Sequence, residues 1–137
     1  ATMIKENDLA VTGESGMQAI VQLLSTIDVN ECGAFLELEV TNEKDAIVAA
    51  STWKQRQEAE SLPSLVLMLD NFGPERSKAM VGELIEMGLR DAVVLEASGN
   101  IVFDDLEAWR ECGVDVLSTS AINRGTTPLD VSMLIDQ

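Results

Sequence analysis

Three apolar runs constrain this chain more than anything else in it: Phe35-Leu36-Glu37-Leu38-Glu39-Val40, Leu65-Val66-Leu67-Met68-Leu69-Asp70-Asn71 and Val93-Val94-Leu95-Glu96-Ala97-Ser98-Gly99. Each is about one strand long and is followed by a segment of helical period, the pattern of βαβ units around a parallel sheet. Each also carries acidic or hydroxyl residues within it or at its end. In parallel sheets and barrels, ligands bind beyond the carboxyl ends of the strands. The polar residues are therefore expected on one rim, with right-handed crossovers joining the strands.

The intervening segments fit this plan. Met17, Ile20, Val21 and Leu24 follow the i, i+3, i+4, i+7 stripe of an amphipathic helix. Thr41 or Asn42 is expected to cap a second helix that continues through the polar stretch Lys54–Glu60 and stops at Pro63. Pro74 suits the first turn of a third helix, and Gly88 suits a left-handed end for it. Asp104 with Glu107 reads as a capping box opening a short helix over Leu106 and Trp109, closed by Gly113. A strand over Val114 to Leu117, a loop through Asn123-Arg124-Gly125 and a last apolar segment, Leu129 to Ile135, complete the chain.

The length, 137 residues, suits one domain with a substantial core. A complete eight-stranded barrel takes about 250 residues. The expected class is thus α/β, a partial or open (β/α) barrel of parallel strands with covering helices. Twenty-four acids against nine bases give a net charge of −15, which argues against nucleic acid and anionic lipid as partners. Two widely spaced cysteines, Cys32 and Cys112, suggest neither a disulfide framework nor a metal site and point to a reducing cytoplasm. No apolar run is long enough to cross a bilayer, and the N-terminus has no signal-peptide core, so neither export nor a membrane span is expected. With no histidine, Ser-His-Asp triads and imidazole catalysis are excluded, and no glycine-rich nucleotide fingerprint occurs.

The chemistry must then come from carboxylates, lysine, arginine, hydroxyls and backbone amides. Glu37 and Glu39 are two apart and share one strand face. If Leu36, Leu38 and Val40 pack against helices, both carboxylates point into a barrel mouth, with Asp70 as a third member. Such carboxylates suit Mg²⁺ or the hydroxyls of a ribose. A structural acid paired with a lysine or a helix N-terminus is the competing reading. Ser98-Gly99-Asn100 exposes backbone amides that can cradle a phosphate, though the same tripeptide also makes an ordinary turn. Ser118-Thr119-Ser120 and Arg124 add hydroxyls and a guanidinium after the next strand, where barrels commonly build their phosphate site.

Met3-Ile4-Lys5-Glu6-Asn7, Leu36-Glu37-Leu38-Glu39-Val40, Leu69-Asp70-Asn71-Phe72, Leu95-Glu96-Ala97-Ser98-Gly99-Asn100-Ile101, Gly113-Val114-Asp115-Val116-Leu117-Ser118 and Pro128-Leu129-Asp130-Val131-Ser132 together resemble the quinolinate phosphoribosyltransferase family, the carboxylating nicotinate-nucleotide pyrophosphorylases. The motifs occur in the family's order over nearly the whole chain. The resemblance implies Mg²⁺-dependent transfer of a phosphoribosyl group from phosphoribosyl pyrophosphate to quinolinate. The products are nicotinate mononucleotide, pyrophosphate and CO₂, a step of NAD biosynthesis. It also implies a homodimer or higher homo-oligomer. Carried onto this sequence, it gives Lys5, Glu39 and Asp70 as catalytic residues, with Glu39 and Asp70 holding the ribose hydroxyls and Mg²⁺. Lys5, Glu37, Asn71, Ser98, Gly99, Ser120 and Arg124 form the implied substrate-binding set.

The sequence departs from the family at Asp8, where a histidine is usual, and at Ser120 and Arg124, where a glycine and a histidine are usual. The interval from Glu39 to Asp70 is also longer, with the stretch Lys54–Glu60 as the apparent insertion. Family members carry an N-terminal domain and the first barrel strands ahead of the Lys5-Glu6-Asn7 motif. Residues 1–137 are therefore expected to be the C-terminal part of the barrel domain, supplying the ribose, Mg²⁺ and phosphate half of the site, without turnover by itself. Two other readings compete. One is a different phosphosugar-binding (β/α) barrel, whose mark is a catalytic lysine at a strand end; none is expected, since Lys44, Lys54 and Lys78 fall in helices. The other is an inactive fragment or paralogue that acts as a binding partner.

Overall fold

A computed structural model describes residues 1–13 and 16–124. The expected apolar segment Leu129–Ile135 lies outside the described residues. Five strands, β1 (Thr2–Ile4), β2 (Leu36–Val40), β3 (Leu65–Asp70), β4 (Val93–Ser98) and β5 (Val116–Leu117), form one sheet. All four pairings are parallel, and strand order follows chain order. A doubly wound sheet reverses its order at a switch point; unreversed order is that of a barrel opened along one side.

Among the described residues six α-helices accompany the strands: α1 (Glu6–Leu9), α2 (Met17–Thr26), α3 (Glu43–Ala59), α4 (Gly73–Glu86), α5 (Leu106–Trp109) and α6 (Ala121–Arg124). Register places Leu38, Leu67 and Leu95 side by side on one sheet face, all fully buried. Ile20 and Leu24 of α2, Ala49 and Trp53 of α3, and Met80 and Leu84 of α4 pack with them in one core cluster. The alanines of α3 let its backbone approach the sheet closely. A smaller cluster of Ala97, Ile101, Trp109 and Cys112 lies beneath β4 and β5.

Local chemistry sets the helix ends. Asn42 caps α3, its side chain accepting the Asp45 N–H at 3.0 Å. Pro74 sits in the first turn of α4, and Gly88 follows its end with φ +69°. There the Leu89 N–H bonds the Leu84 carbonyl at 2.8 Å and the Gly88 N–H bonds the Ile85 carbonyl at 3.0 Å, a Schellman motif. Within the polar stretch of α3, Arg56 donates to the Leu24 and Ile27 carbonyls at 3.0 and 2.8 Å, closing the C-terminal end of α2.

Several elements differ from the sequence pattern, among them α1, which was not expected, and α6, which takes in Asn123 and Arg124 of the expected loop. Strand β1 was not expected; three residues carry too little periodicity to show, and its parallel pairing with β2 defines it. The short helix near residue 104 is opened by a 3₁₀ turn over Phe103–Asp105 rather than by a side-chain cap. Strand β5 is shorter than Val114–Leu117 because Asp115 uses its carboxylate in the ladder, accepting the Leu95 N–H at 2.7 Å. Arg90 binds the other oxygen of that carboxylate at 2.7 Å. Removing this partner strands the Leu95 N–H and frees the guanidinium. Asp115→Ala should cost about 1–2 kcal/mol, discounted because the carboxylate is partly exposed. The measurement is a urea midpoint that falls while the denaturant slope stays constant.

Candidate functional site

The second sheet face, turned away from the helices of the main core, carries Glu37 and Glu39 on β2, Met68 and Asp70 on β3, and Glu96 and Ser98 on β4. In the ladder Glu39 lies opposite Met68, Met68 opposite Glu96, and Asp70 opposite Ser98. Lys5 follows Ile4, the partner of Leu38, and so comes level with Glu39. Lys5, Glu39, Asp70 and Ser98 thus sit at the carboxyl ends of four parallel strands, on one rim. Leu36, Leu38 and Leu67 occupy the opposite, helix-covered face and are buried.

Lys5 Nζ forms an ion pair with Glu39 Oε2 at 2.5 Å. Its hydrogen bond with Glu39, then the Glu39 charge, with smaller contributions from Asp70 and Glu37, hold the ammonium above the ordinary lysine range. Lys5 is therefore a strand-end lysine, which corrects the expectation that no such lysine exists. An ammonium held charged by carboxylates is a poor nucleophile, so its environment opposes the Schiff-base chemistry for which strand-end lysines are known. Asp8 accepts the Lys5 backbone N–H at 2.9 Å and so closes the first turn of α1.

Deeper in the same face, Glu37 is 5% exposed, and its Oε1 has no hydrogen-bond partner among the described residues. Burial pushes its carboxyl above the usual range, and the Glu96 charge adds to this, while Lys5 pulls the other way. Glu96 was not among the expected site residues. Its signal was its spacing of two from Ser98, which places both on one face. The Ser118 hydroxyl donates to Glu96 Oε1, tying the β5 end to β4.

Beyond β4 and β5 opens a cleft of about 1100 Å³ whose lining includes Asn71, Ser98, Gly99, Ser118, Ser120 and Arg124. The Asn123 and Arg124 N–H groups donate to the Ser120 carbonyl at 3.0 and 2.9 Å, forming the turn of α6 that carries the guanidinium. Thr119 braces this loop by donating to the Ile101 carbonyl and accepting the Ala121 N–H at 3.0 Å. The expected residues thus fall into two groups. Lys5, Glu37, Glu39 and Asp70 make an ionic cluster over β1 to β3. Ser98, Gly99, Ser120 and Arg124 make a hydroxyl- and amide-rich cleft over β4 and β5. Asn71 lines the cleft and touches Asp70, with its Nδ2 2.8 Å from Asp70 Oδ2.

Among the described residues no helix is long and apolar enough to cross a membrane. The chain matches the family model described as "Quinolinate phosphoribosyl transferase, C-terminal domain" over residues 1–134. It is 32% identical to a probable carboxylating nicotinate-nucleotide pyrophosphorylase of Methanothermobacter thermautotrophicus, over 97% of this chain and 43% of that protein. A protein of the same description from Archaeoglobus fulgidus is also 32% identical, over 98% of this chain and 46% of its own length. The chloroplastic carboxylating nicotinate-nucleotide pyrophosphorylase of Arabidopsis thaliana is 27% identical, over 98% and 38%. The chain spans less than half the length of these relatives. An unreversed parallel sheet, a rim of carboxylates and hydroxyls, and a match from end to end of the described residues have one source: this chain belongs to the quinolinate phosphoribosyl transferase C-terminal domain family.

Proposed function

We propose that this chain supplies the ribose-, Mg²⁺- and phosphate-binding part of an enzyme that transfers a phosphoribosyl group from phosphoribosyl pyrophosphate to quinolinate. The products are nicotinate mononucleotide, pyrophosphate and CO₂. The observation that carries the reading is the two-part rim: carboxylates around Lys5 at one end, and a cleft of hydroxyls, amides and Arg124 at the other. A phosphorylated sugar has the complementary polarity, with hydroxyls that donate to carboxylates and a 5′-phosphate that accepts from amides and a guanidinium.

The donor set also fits Mg²⁺. Among the described residues no group of three or more metal-ligating side chains comes together. Mg²⁺ needs no such cage, since it commonly binds one or two carboxylates plus substrate phosphate oxygens. Glu39 and Asp70 would hold it, and bound there it would neutralise charge on the departing pyrophosphate. Lys5, kept charged by Glu39, orients that carboxylate and offers a cation to the anionic substrates. Ser98, Gly99, Ser120 and Arg124 anchor the phosphate, and Glu37 completes the polar floor. Holding the sugar at both ends fixes its reacting carbon for attack, and such positioning supplies a large part of the rate.

The enzyme is read as cytoplasmic, consistent with two free, buried cysteines, and as a homo-oligomer, as the family resemblance implies. The test is a steady-state assay of the protein carrying this chain. Quinolinate, phosphoribosyl pyrophosphate and Mg²⁺ should give nicotinate mononucleotide and CO₂ in equal amounts. Folded protein that forms neither product would overturn the reading.

A further inference from the structure

We propose that Asn100 and Asn71 form a positioning relay that fixes the Asp70 carboxylate from the far side of the cleft, and that Gly99 lacks a side chain to make room for it. The proposal rests on the reading of Asp70 as a ligand for ribose or metal.

Asn100 Nδ2 donates to Asn71 Oδ1 at 2.9 Å, and Asn71 Nδ2 donates to Asp70 Oδ2 at 2.8 Å. An ionised carboxylate only accepts, so Asn71 must turn its NH₂ toward Asp70 and its oxygen toward Asn100. The carboxylate thereby sets the polarity of the whole chain of contacts, and Asn100 supplies the donor that completes it. Among the described residues, nothing hydrogen-bonds the other oxygen, Asp70 Oδ1, which leaves it for a ligand.

The backbone is shaped around this chain. Asn71 and Asn100 have φ of 57° and 53°, the only positive values outside glycine among the described residues. Asparagine tolerates that left-handed conformation better than most residues, yet it remains sparsely populated and costs energy. The Asn71 N–H also clamps the Ser98 carbonyl at 2.9 Å. A Cβ on Gly99 would collide with Oδ1 and Cγ of Asn71 and lie 2.9 Å from its backbone nitrogen. The space that Gly99 spares is therefore occupied by Asn71. Asn71 alone touches the carboxylate, while Asn100 and Gly99 of the next loop act on Asn71, and both ends of the Asn71 amide are spent on protein groups. Asn71 thus acts through Asp70, as a positioning residue. Asn71 and Asn100 are exposed, so the relay adds little stability in water and strengthens when a ligand excludes solvent.

The experiment uses the protein carrying this chain, with Asn100→Asp and Asn100→Gly compared. Aspartate and glycine both tolerate the left-handed turn, so a turn-only role for Asn100 leaves both variants like the wild type. The relay makes a different demand: glycine removes the donor, and aspartate replaces it with an acceptor that pulls the Asn71 amide the wrong way. The readouts are Mn²⁺ affinity, measured by electron paramagnetic resonance with phosphoribosyl pyrophosphate bound, and the Asn71 side-chain amide resonances. Asn100→Asp should weaken Mn²⁺ binding about tenfold, the scale of a hydrogen bond to a charged group, and shift the Asn71 amide, with melting temperature unchanged. Unmoved resonances in both variants, or moved resonances with wild-type Mn²⁺ affinity, would overturn the relay. Asp70→Ala is the control for the underlying reading. If it leaves Mn²⁺ affinity intact, Asp70 is not a metal ligand and that assignment falls, while the Asn71 resonances still decide whether the relay exists.

Discussion

In the protein carrying this chain, Glu39→Gln is expected on the proposed function to lower kcat/KM for phosphoribosyl transfer about 10²- to 10³-fold while changing stability by less than about 1 kcal/mol. The two numbers have separate origins. Glu39 sits at the rim with Lys5 as its partner, and Lys5 is 52% exposed at its side chain. Exposed ion pairs contribute little to folding because water and salt screen them. On the proposed reading, the same carboxylate would act differently once a sugar pyrophosphate covered the rim, because the dielectric would fall and the charge would meet hydroxyls and a divalent cation directly. Glutamine keeps the shape and loses the charge, so it also releases Lys5 from the partner that holds it protonated and in place. Steady-state kinetics paired with thermal melts separate these effects. A variant that melts like the wild type and turns over like it would remove Glu39 from the site.

The sheet was legible because β2, β3 and β4 are long enough for apolar content and period-two alternation to agree, which also put Glu39, Asp70 and Ser98 on one rim before any coordinates. Strand β1 was not, because Thr2-Met3-Ile4 becomes a strand only by pairing with a segment more than thirty residues away. The same reason hid the groups that shape the site. Asn100 reaches Asn71 across 29 positions, Arg56 reaches the Leu24 carbonyl across 32, and Asp115 takes the Leu95 N–H across 20. Periodicity reports which face a residue occupies, whereas these contacts depend on how neighbouring loops turn. Glu96 is the intermediate case: its face was readable from Ser98, but its bond to Ser118 required the register of β5. Gly99 was legible only as part of a turn whose amides could cradle a phosphate. That a Cβ there would meet the Asn71 side chain came only from the fold.

Trp53→Ala is expected to cost about 3–5 kcal/mol and lower the melting temperature of this chain by about 10 °C or more. Trp53 is fully buried on α3, where it packs in the main core cluster with the leucines of β2, β3 and β4. Alanine there would leave a cavity that α3 cannot close, since its other buried residues, Ala46, Ala49 and Ala50, already bring the helix close to the sheet. The indole N–H adds a second, smaller contribution by donating to the Pro63 carbonyl at 2.9 Å, which fixes the turn into β3. Trp53→Phe separates the two. It keeps most of the volume and loses only the donor, and the Pro63 carbonyl retains the Gln57 side chain at 3.1 Å. Phenylalanine should therefore cost about 1 kcal/mol plus a modest packing loss. Equal destabilisation by both variants in urea titrations would show that the hydrogen bond, not the ring volume, holds α3 on the sheet. Since β3 carries Asp70 at its far end, the alanine variant should also loosen the rim and, on the proposed function, raise KM for phosphoribosyl pyrophosphate in the protein carrying this chain before it abolishes folding.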